Sequence, residues 1–200
     1  MRYPFVSVPI DIPKVEPSSW DEWWTLWHRE ADLVEKTVKT HNPTTADWIG
    51  FDIYNTNDPG FNPAYHCKNV NCLSLFPELE KNLHKIPMDI ACIRAFCNFK
   101  KAITPHRDTM ANAISIRTLL HDTNPHRTFY YDTPDGKVYQ ELPEETNTWM
   151  YAERSARHGA DYYEGKMKIL IAYYGEFSST RTMEQFSISE TKYKDFIIYK

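Results

Sequence analysis

An imidazole and a carboxylate stand two residues apart in Ile103-Thr-Pro-His-Arg-Asp-Thr109, where Pro105 precedes His106 and Asp108 follows it. In a strand, residues i and i+2 point to one face, so both donors could reach one metal ion. In a helix they would diverge by about 200°. That contrast sets aside His28-x-Glu30, which falls in a helical segment. Proline before the histidine favours extended backbone at Thr104. Alone the pair is a weak signal, because His-x-Asp arises readily by chance in a chain with eight histidines. A mononuclear site of two histidines and one carboxylate needs a further imidazole from a distant strand. His121 and His126 lie in the loop-like stretch His121-Asp-Thr-Asn-Pro-His-Arg127. His158, in Glu153-Arg-Ser-Ala-Arg-His-Gly159, follows a strand and comes fifty residues after Asp108. That length accommodates a strand, a loop and a hairpin that return the chain to one end of a barrel. His158 is therefore the preferred third donor, and His126 the runner-up.

The elements that must hold these donors are legible in outline. Ser19 followed by Glu22 is a capping box. Trp20, Trp23, Trp24, Trp27, Ala31, Val34 and Val38 then recur at three- and four-residue steps, one face of a helix reaching about Thr40. The tryptophans are expected to buttress a sheet rather than bind a ligand. Strands are expected at 47–54, 88–99, 114–120, 147–151 and 167–174, with a short helix over 77–85. Thr133-Pro-Asp-Gly136, between 127–131 and 137–142, is hairpin turn chemistry. Short strands in series, with turns about every ten residues, predict a mainly β fold with flanking helices, a jelly roll or antiparallel barrel. The division expected is one domain: 1–87 as N-terminal helical and strand support, 88–176 as the jelly-roll core and 177–200 as a C-terminal extension.

The series ITPHRDT, ISIRTLL, SARHGAD and KMKILIAYY resembles the Fe(II)- and 2-oxoglutarate-dependent oxygenases, which are built on a double-stranded β-helix, and within them the aspartyl/asparaginyl β-hydroxylase-like branch. The resemblance covers residues 90–174, less than half of the chain. It implies His106, Asp108 and His158 as the iron ligands and 2-oxoglutarate as cosubstrate. It implies O2 as oxidant and hydroxylation of an amino acid or peptidyl side chain, with release of succinate and CO2. Arg117 matches the first basic position of the pattern. The late basic position, commonly arginine in that branch, is Lys168 here. Alternation puts Lys168, Leu170, Ala172 and Tyr174 on one strand face, so the lysine projects among apolar residues and should meet an anion. In this reading the anion is the far carboxylate of 2-oxoglutarate. A lysine lacks the bidentate fork of arginine, which Arg117 could supply instead. Thr128 and Tyr130, alternating with Phe129 and Tyr131, are the further cosubstrate candidates. Arg107, Arg127, Arg154 and Arg157 flank the proposed ligands and would suit a carboxylate- or phosphate-bearing substrate. Trp149 and Tyr151 read as core.

Composition bounds the alternatives. A net charge of -4 argues against a general nucleic-acid binder. No apolar run approaches the ~20 residues needed to span a bilayer. Prolines and an aspartate interrupt the N-terminus where a signal peptide needs an unbroken apolar stretch, so a cytoplasmic, soluble protein is expected. Cys67, Cys72, Cys92 and Cys97 form no C-x-x-C pair and read as reduced packing residues. Two other classes remain open: a cupin-type metal enzyme that does not use 2-oxoglutarate, and a non-catalytic jelly-roll binding module.

Overall fold

In the computed structural model the described residues are 3–41, 48–56, 69–98, 102–107, 114–122, 129–152, 156–161 and 168–200, with the side chains of 31–41, 48–49 and 97–98 left aside. Among the described residues, eleven strands and three α-helices run in the order β1 (Phe5–Pro9), α1 (Trp20–His41), β2 (Trp48–Asn55), α2 (Pro77–Asn82), β3 (Met88–Asn98), β4 (Ile103–His106), β5 (Ser115–Asp122), β6 (Phe129–Thr133), β7 (Gly136–Tyr139), β8 (Thr148–Tyr151), β9 (His158–Ala160), β10 (Lys168–Phe177), α3 (Ser179–Lys192) and β11 (Ile198–Tyr199).

These strands build two sheets, a seven-stranded one in the order β11-β1-β8-β5-β10-β3-β2 and a four-stranded one in the order β4-β9-β6-β7. From β3 to β10 the chain passes alternately between them, with the β6–β7 hairpin as the one double step in the smaller sheet. The ladders are antiparallel throughout. This is the winding of a double-stranded β-helix, the jelly roll expected from the strand spacing. The hairpin turns on Pro134 and Asp135, and Gly136 takes φ 114°, a conformation that side chains other than glycine's rarely adopt.

The two faces of the larger sheet differ. Ile169, Ile171 and Tyr173 of β10 point outward into the main apolar cluster, with Phe51, Ile93, Ala95, Ile116 and Met150 of neighbouring strands. Helix α1 covers this side. Ser19 Oγ accepts from the Glu22 amide at 3.2 Å, the serine half of the expected capping box. Trp23 and Trp27 are fully buried and lie 5.7 and 5.6 Å from the Phe51 ring. Trp20 and Trp24 are half-buried and flank His121. The tryptophan face is thus a buttress. Leu170 of β10 points inward, into a second cluster with Tyr131, Trp149, Tyr151 and Ala156, which fills the space between the sheets.

The segment beyond β10 is helix α3, capped by Ser178 Oγ, which accepts from the Arg181 amide at 3.3 Å. It docks through Phe186 stacked on Phe5 and through Ser189 Oγ donating to the Pro9 carbonyl. Strand β11 then pairs with β1, which lies within the larger sheet beside β8. Among the described residues no helix is long and apolar enough to cross a membrane.

Candidate metal centre

Strands β4 and β9 are neighbours in the smaller sheet, and their register places His106 directly opposite His158. Directly opposed residues carry their side chains on one face with Cβ atoms about 5 Å apart. The two imidazole rings accordingly meet, with centroids 4.7 Å apart. Two histidines separated by half a barrel in sequence are brought side by side by strand pairing alone.

Each ring is oriented from behind. His106 Nδ1 lies 2.9 Å from the Thr104 carbonyl and His158 Nδ1 lies 3.2 Å from the Ala156 carbonyl. A carbonyl can only accept, so both Nδ1 atoms donate, and in the neutral ring Nε2 carries the lone pair. This is the tautomer a metal ligand needs, fixed by the kind of outer hydrogen bond that orients metal-bound histidines. His158 is 5% exposed, whereas His106 stands in solvent. The Phe129 ring stacks on His158 at 5.5 Å and 20°, and the Tyr151 ring packs at 4.9 Å with its hydroxyl 3.5 Å from Nε2.

Strand β4 ends at His106, and Asp108 lies outside the described residues. Among the described residues no three His, Cys, Asp or Glu side chains gather around one point. The donors present therefore fit two of the three corners of a two-His, one-carboxylate iron site. His126, Arg127, Thr128 and Arg154 are also outside the described residues. His121 points away from the pair, against Trp20 and Trp24 of α1.

The basic candidates separate. Lys168 pairs in register with Asp122 at one end of β10. Its Nζ is buried without a hydrogen-bond partner among the described residues. Burial pulls its pKa down to about 8, against the opposing pull of Asp122 and Asp161. A buried, unpartnered ammonium is the kind of orphan that a ligand anion would satisfy. Arg117 lies four residues further along β10, opposite Ala172, with its guanidinium 5.7 Å over the Tyr151 ring. The stems of the two cations start roughly 13 Å apart along the strand. Arg107 is exposed. Arg157 is exposed too, but ties the sheet together by donating to the Pro105 carbonyl at 3.2 Å and standing 3.6 Å from Asp132.

Tyr130 departs from expectation. The register pairs Tyr131 with His158 and Tyr130 with Gly159. Tyr131 and Phe129 therefore share the histidine face, while Tyr130 lies on the opposite face against Tyr139, with Lys137 Nζ 4.1 Å from its ring centre. Tyr151, read from sequence only as core, is both core and, among the described residues, a phenol in contact with His158. Its signal was available: Trp149 and Tyr151 alternate onto one face of the strand just before the His158 segment.

No protein-family model matches the chain, and no curated protein matches it. Solved structures do. An oxidoreductase of the 2OG-Fe(II) oxygenase family from Burkholderia pseudomallei is 14% identical, with 73% of this chain and 76% of that chain covered and a TM-score of 0.37. The non-heme monooxygenase ThoJ, in a nickel complex, is 11% identical over 96% of this chain and 95% of its own, with a TM-score of 0.46. The viral collagen prolyl hydroxylase of Paramecium Bursaria Chlorella virus-1, in a 2OG complex, is 11% identical over 72% and 88%, with a TM-score of 0.33. These neighbours are Fe(II)/2-oxoglutarate oxygenases and related non-heme oxygenases at low identity. At such distances the functional case rests on this chain's own residues.

Proposed function

We propose that this protein is an Fe(II)- and 2-oxoglutarate-dependent dioxygenase that hydroxylates an amino acid or a peptidyl side chain, as in the aspartyl/asparaginyl β-hydroxylase-like branch. The observation that carries the proposal is the cross-strand pair His106 and His158, both held with Nε2 as the donor atom. His106, His158 and Asp108 would hold the metal. Iron held there would, with O2, supply an oxidising centre, and 2-oxoglutarate would be decarboxylated to succinate and CO2.

The chain's own residues do the rest. Lys168 offers its charge to the far carboxylate of the cosubstrate. Asp122, opposite Lys168 in register, and Asp161 both favour the charged form of this lysine. Phe129, Tyr131, Trp149 and Tyr151 wall the space between the sheets and exclude water, which strengthens every charge contact inside it. Tyr151 can donate its hydroxyl proton to an oxygen held beside His158 Nε2.

The test is an anaerobic titration with Fe(II) and 2-oxoglutarate, followed by admission of oxygen. A weak visible charge-transfer band, then succinate, is the expected result. Metal binding indifferent to 2-oxoglutarate would instead indicate a metal enzyme without that cosubstrate. No metal binding at all would leave a jelly-roll binding module.

A further inference from the structure

The face of the smaller sheet opposite the histidines carries a cluster of its own. Tyr130 of β6, Lys137 and Tyr139 of β7, and Asp161, the residue after β9, meet there. Lys137 Nζ donates to Asp161 Oδ1 at 2.8 Å, and the Tyr139 hydroxyl donates to Oδ2 of the same carboxylate. The Lys137 ammonium stands 4.1 Å from the Tyr130 ring centre, and the Tyr139 ring meets that ring edge-on with centroids 5.8 Å apart. Under this cover Tyr130 is 3% exposed.

Tyr130 pairs with Gly159 in register, and the end of its ring fills the place where a side chain at 159 would stand. A Cβ on Gly159 would lie 2.6 Å from the Tyr130 hydroxyl and 2.8 Å from Cζ. The phenol therefore crosses β9 from β6 and ends at β4, with its hydroxyl 3.5 Å from the Ile103 carbonyl. A hydrogen bond of that length is weak, so the ring's packing is what Tyr130 supplies. Arg157 makes a second crossing, donating from Nε to the Pro105 carbonyl at 3.2 Å. The backbone ladder beneath these crossings is short. Its register joins Ile103 to Ala160 and His106 to His158, with an irregular step between, and β4 is the edge strand of the smaller sheet.

We propose that Tyr130, held by Lys137, Asp161 and Tyr139, is a positioning residue that sets the separation of His106 and His158 from the reverse face of the sheet. The consequence for metal rests on the metal-centre reading, whereas the brace can be observed without metal. Strand β9 is three residues long, so a shift at Gly159 passes directly to His158. Two donors on separate strands serve one ion only while their separation is held closely.

Two measurements on the whole chain test this: hydrogen–deuterium exchange of the metal-free protein, and Zn(II) affinity by competition with a chromophoric chelator. Tyr130→Leu should raise exchange across residues 102–107 and 156–161 at least tenfold, leave β3, β5 and β10 within twofold, and weaken Zn(II) at least tenfold. Tyr130→Phe keeps the ring and should stay within threefold of wild type on both readouts. Lys137→Met removes the charge over the ring. It should raise the same local exchange at least threefold at an unchanged melting temperature, because a half-exposed ion pair contributes little to global stability. Wild-type exchange in Tyr130→Leu, or a rise spread evenly over all strands, would overturn the brace. So would a Tyr130→Phe variant as loose as Tyr130→Leu, or loosened strands that bind Zn(II) as tightly as wild type. If Tyr130→Leu does not fold, Lys137→Met decides, and unchanged exchange there overturns the proposal. A wild-type chain that binds no Zn(II) would sink the metal-centre reading, and the exchange comparison would still decide the brace.

Discussion

At the scale of single residues, the histidines and Lys168 have separable jobs. His106→Ala and His158→Ala should each abolish iron-dependent 2-oxoglutarate turnover. The circular dichroism of both variants should stay native, because the rings share one face of a short ladder and leave the main apolar cluster untouched. Full turnover in either variant would remove that histidine from the site. Lys168 carries a second, opposed prediction. Its pKa is lowered to about 8, first by burial, from the usual 10.5. The unfolded chain therefore binds more protons than the folded one between about pH 8 and 10.5, and stability rises with pH across that window. Below pH 8 the full penalty is present, about 3 kcal/mol at 1.36 kcal/mol per pKa unit. Lys168→Met should thus raise the melting temperature at pH 7 and lower the affinity for 2-oxoglutarate. Thermal melts beside a 2-oxoglutarate titration check both signs at once. In the wild type, cosubstrate affinity should fall as pH rises past 8 and the amine loses its charge. The lysine and its conflict with apolar neighbours were legible in the sequence, since alternation alone put Lys168 on the face of Leu170 and Ala172. The choice between Tyr130 and Tyr131 was not. Alternation separates the two without saying which face is inward, and only the register with His158 decides it.

At the scale of elements, β9 is the piece on which the site turns, and it is three residues long. Gly159 sits between His158 and Ala160 because there is no room for more. A Cβ there would meet the Ile103 carbonyl and the Tyr130 hydroxyl, each at 2.6 Å. The Ile103 oxygen belongs to β4, so Gly159→Ala must push β9 away from the strand that carries His106. We expect metal affinity to drop at least tenfold with little change in global stability, measured by metal competition and by thermal melts. Unchanged metal binding would mean that the β4–β9 pairing does not set the site. Strands β2, β3, β5, β8 and β10 and the hairpin were readable from alternation and turn chemistry. Strand β1 was not, because all five residues of Phe-Val-Ser-Val-Pro are buried and no polar face marks a period. Helix α3 was hidden for the opposite reason. Its buried residues are Thr182, Gln185, Phe186 and Ser189, a helical stripe in spacing but mostly polar in chemistry, so hydrophobic periodicity cannot register it.

At the scale of the molecule, the two sides of the larger sheet divide labour. The outer side, sealed by α1 and α3, supplies the large core, and the inner side holds the site. Trp23→Ala should therefore cost about 3–5 kcal/mol and lower the melting temperature by on the order of 10 °C for a chain of this length. Metal affinity, measured below the new midpoint, should be unchanged, since Trp23 packs on Phe51 and Phe76, away from the histidines. The central claim is that two strands of the smaller sheet present one metal with two imidazoles. Anomalous diffraction from crystals grown with Zn(II) and 2-oxoglutarate tests it most directly. A single metal is expected within about 2.0–2.1 Å of both His106 Nε2 and His158 Nε2. A metal bound elsewhere, or to only one of the two rings, would contradict it.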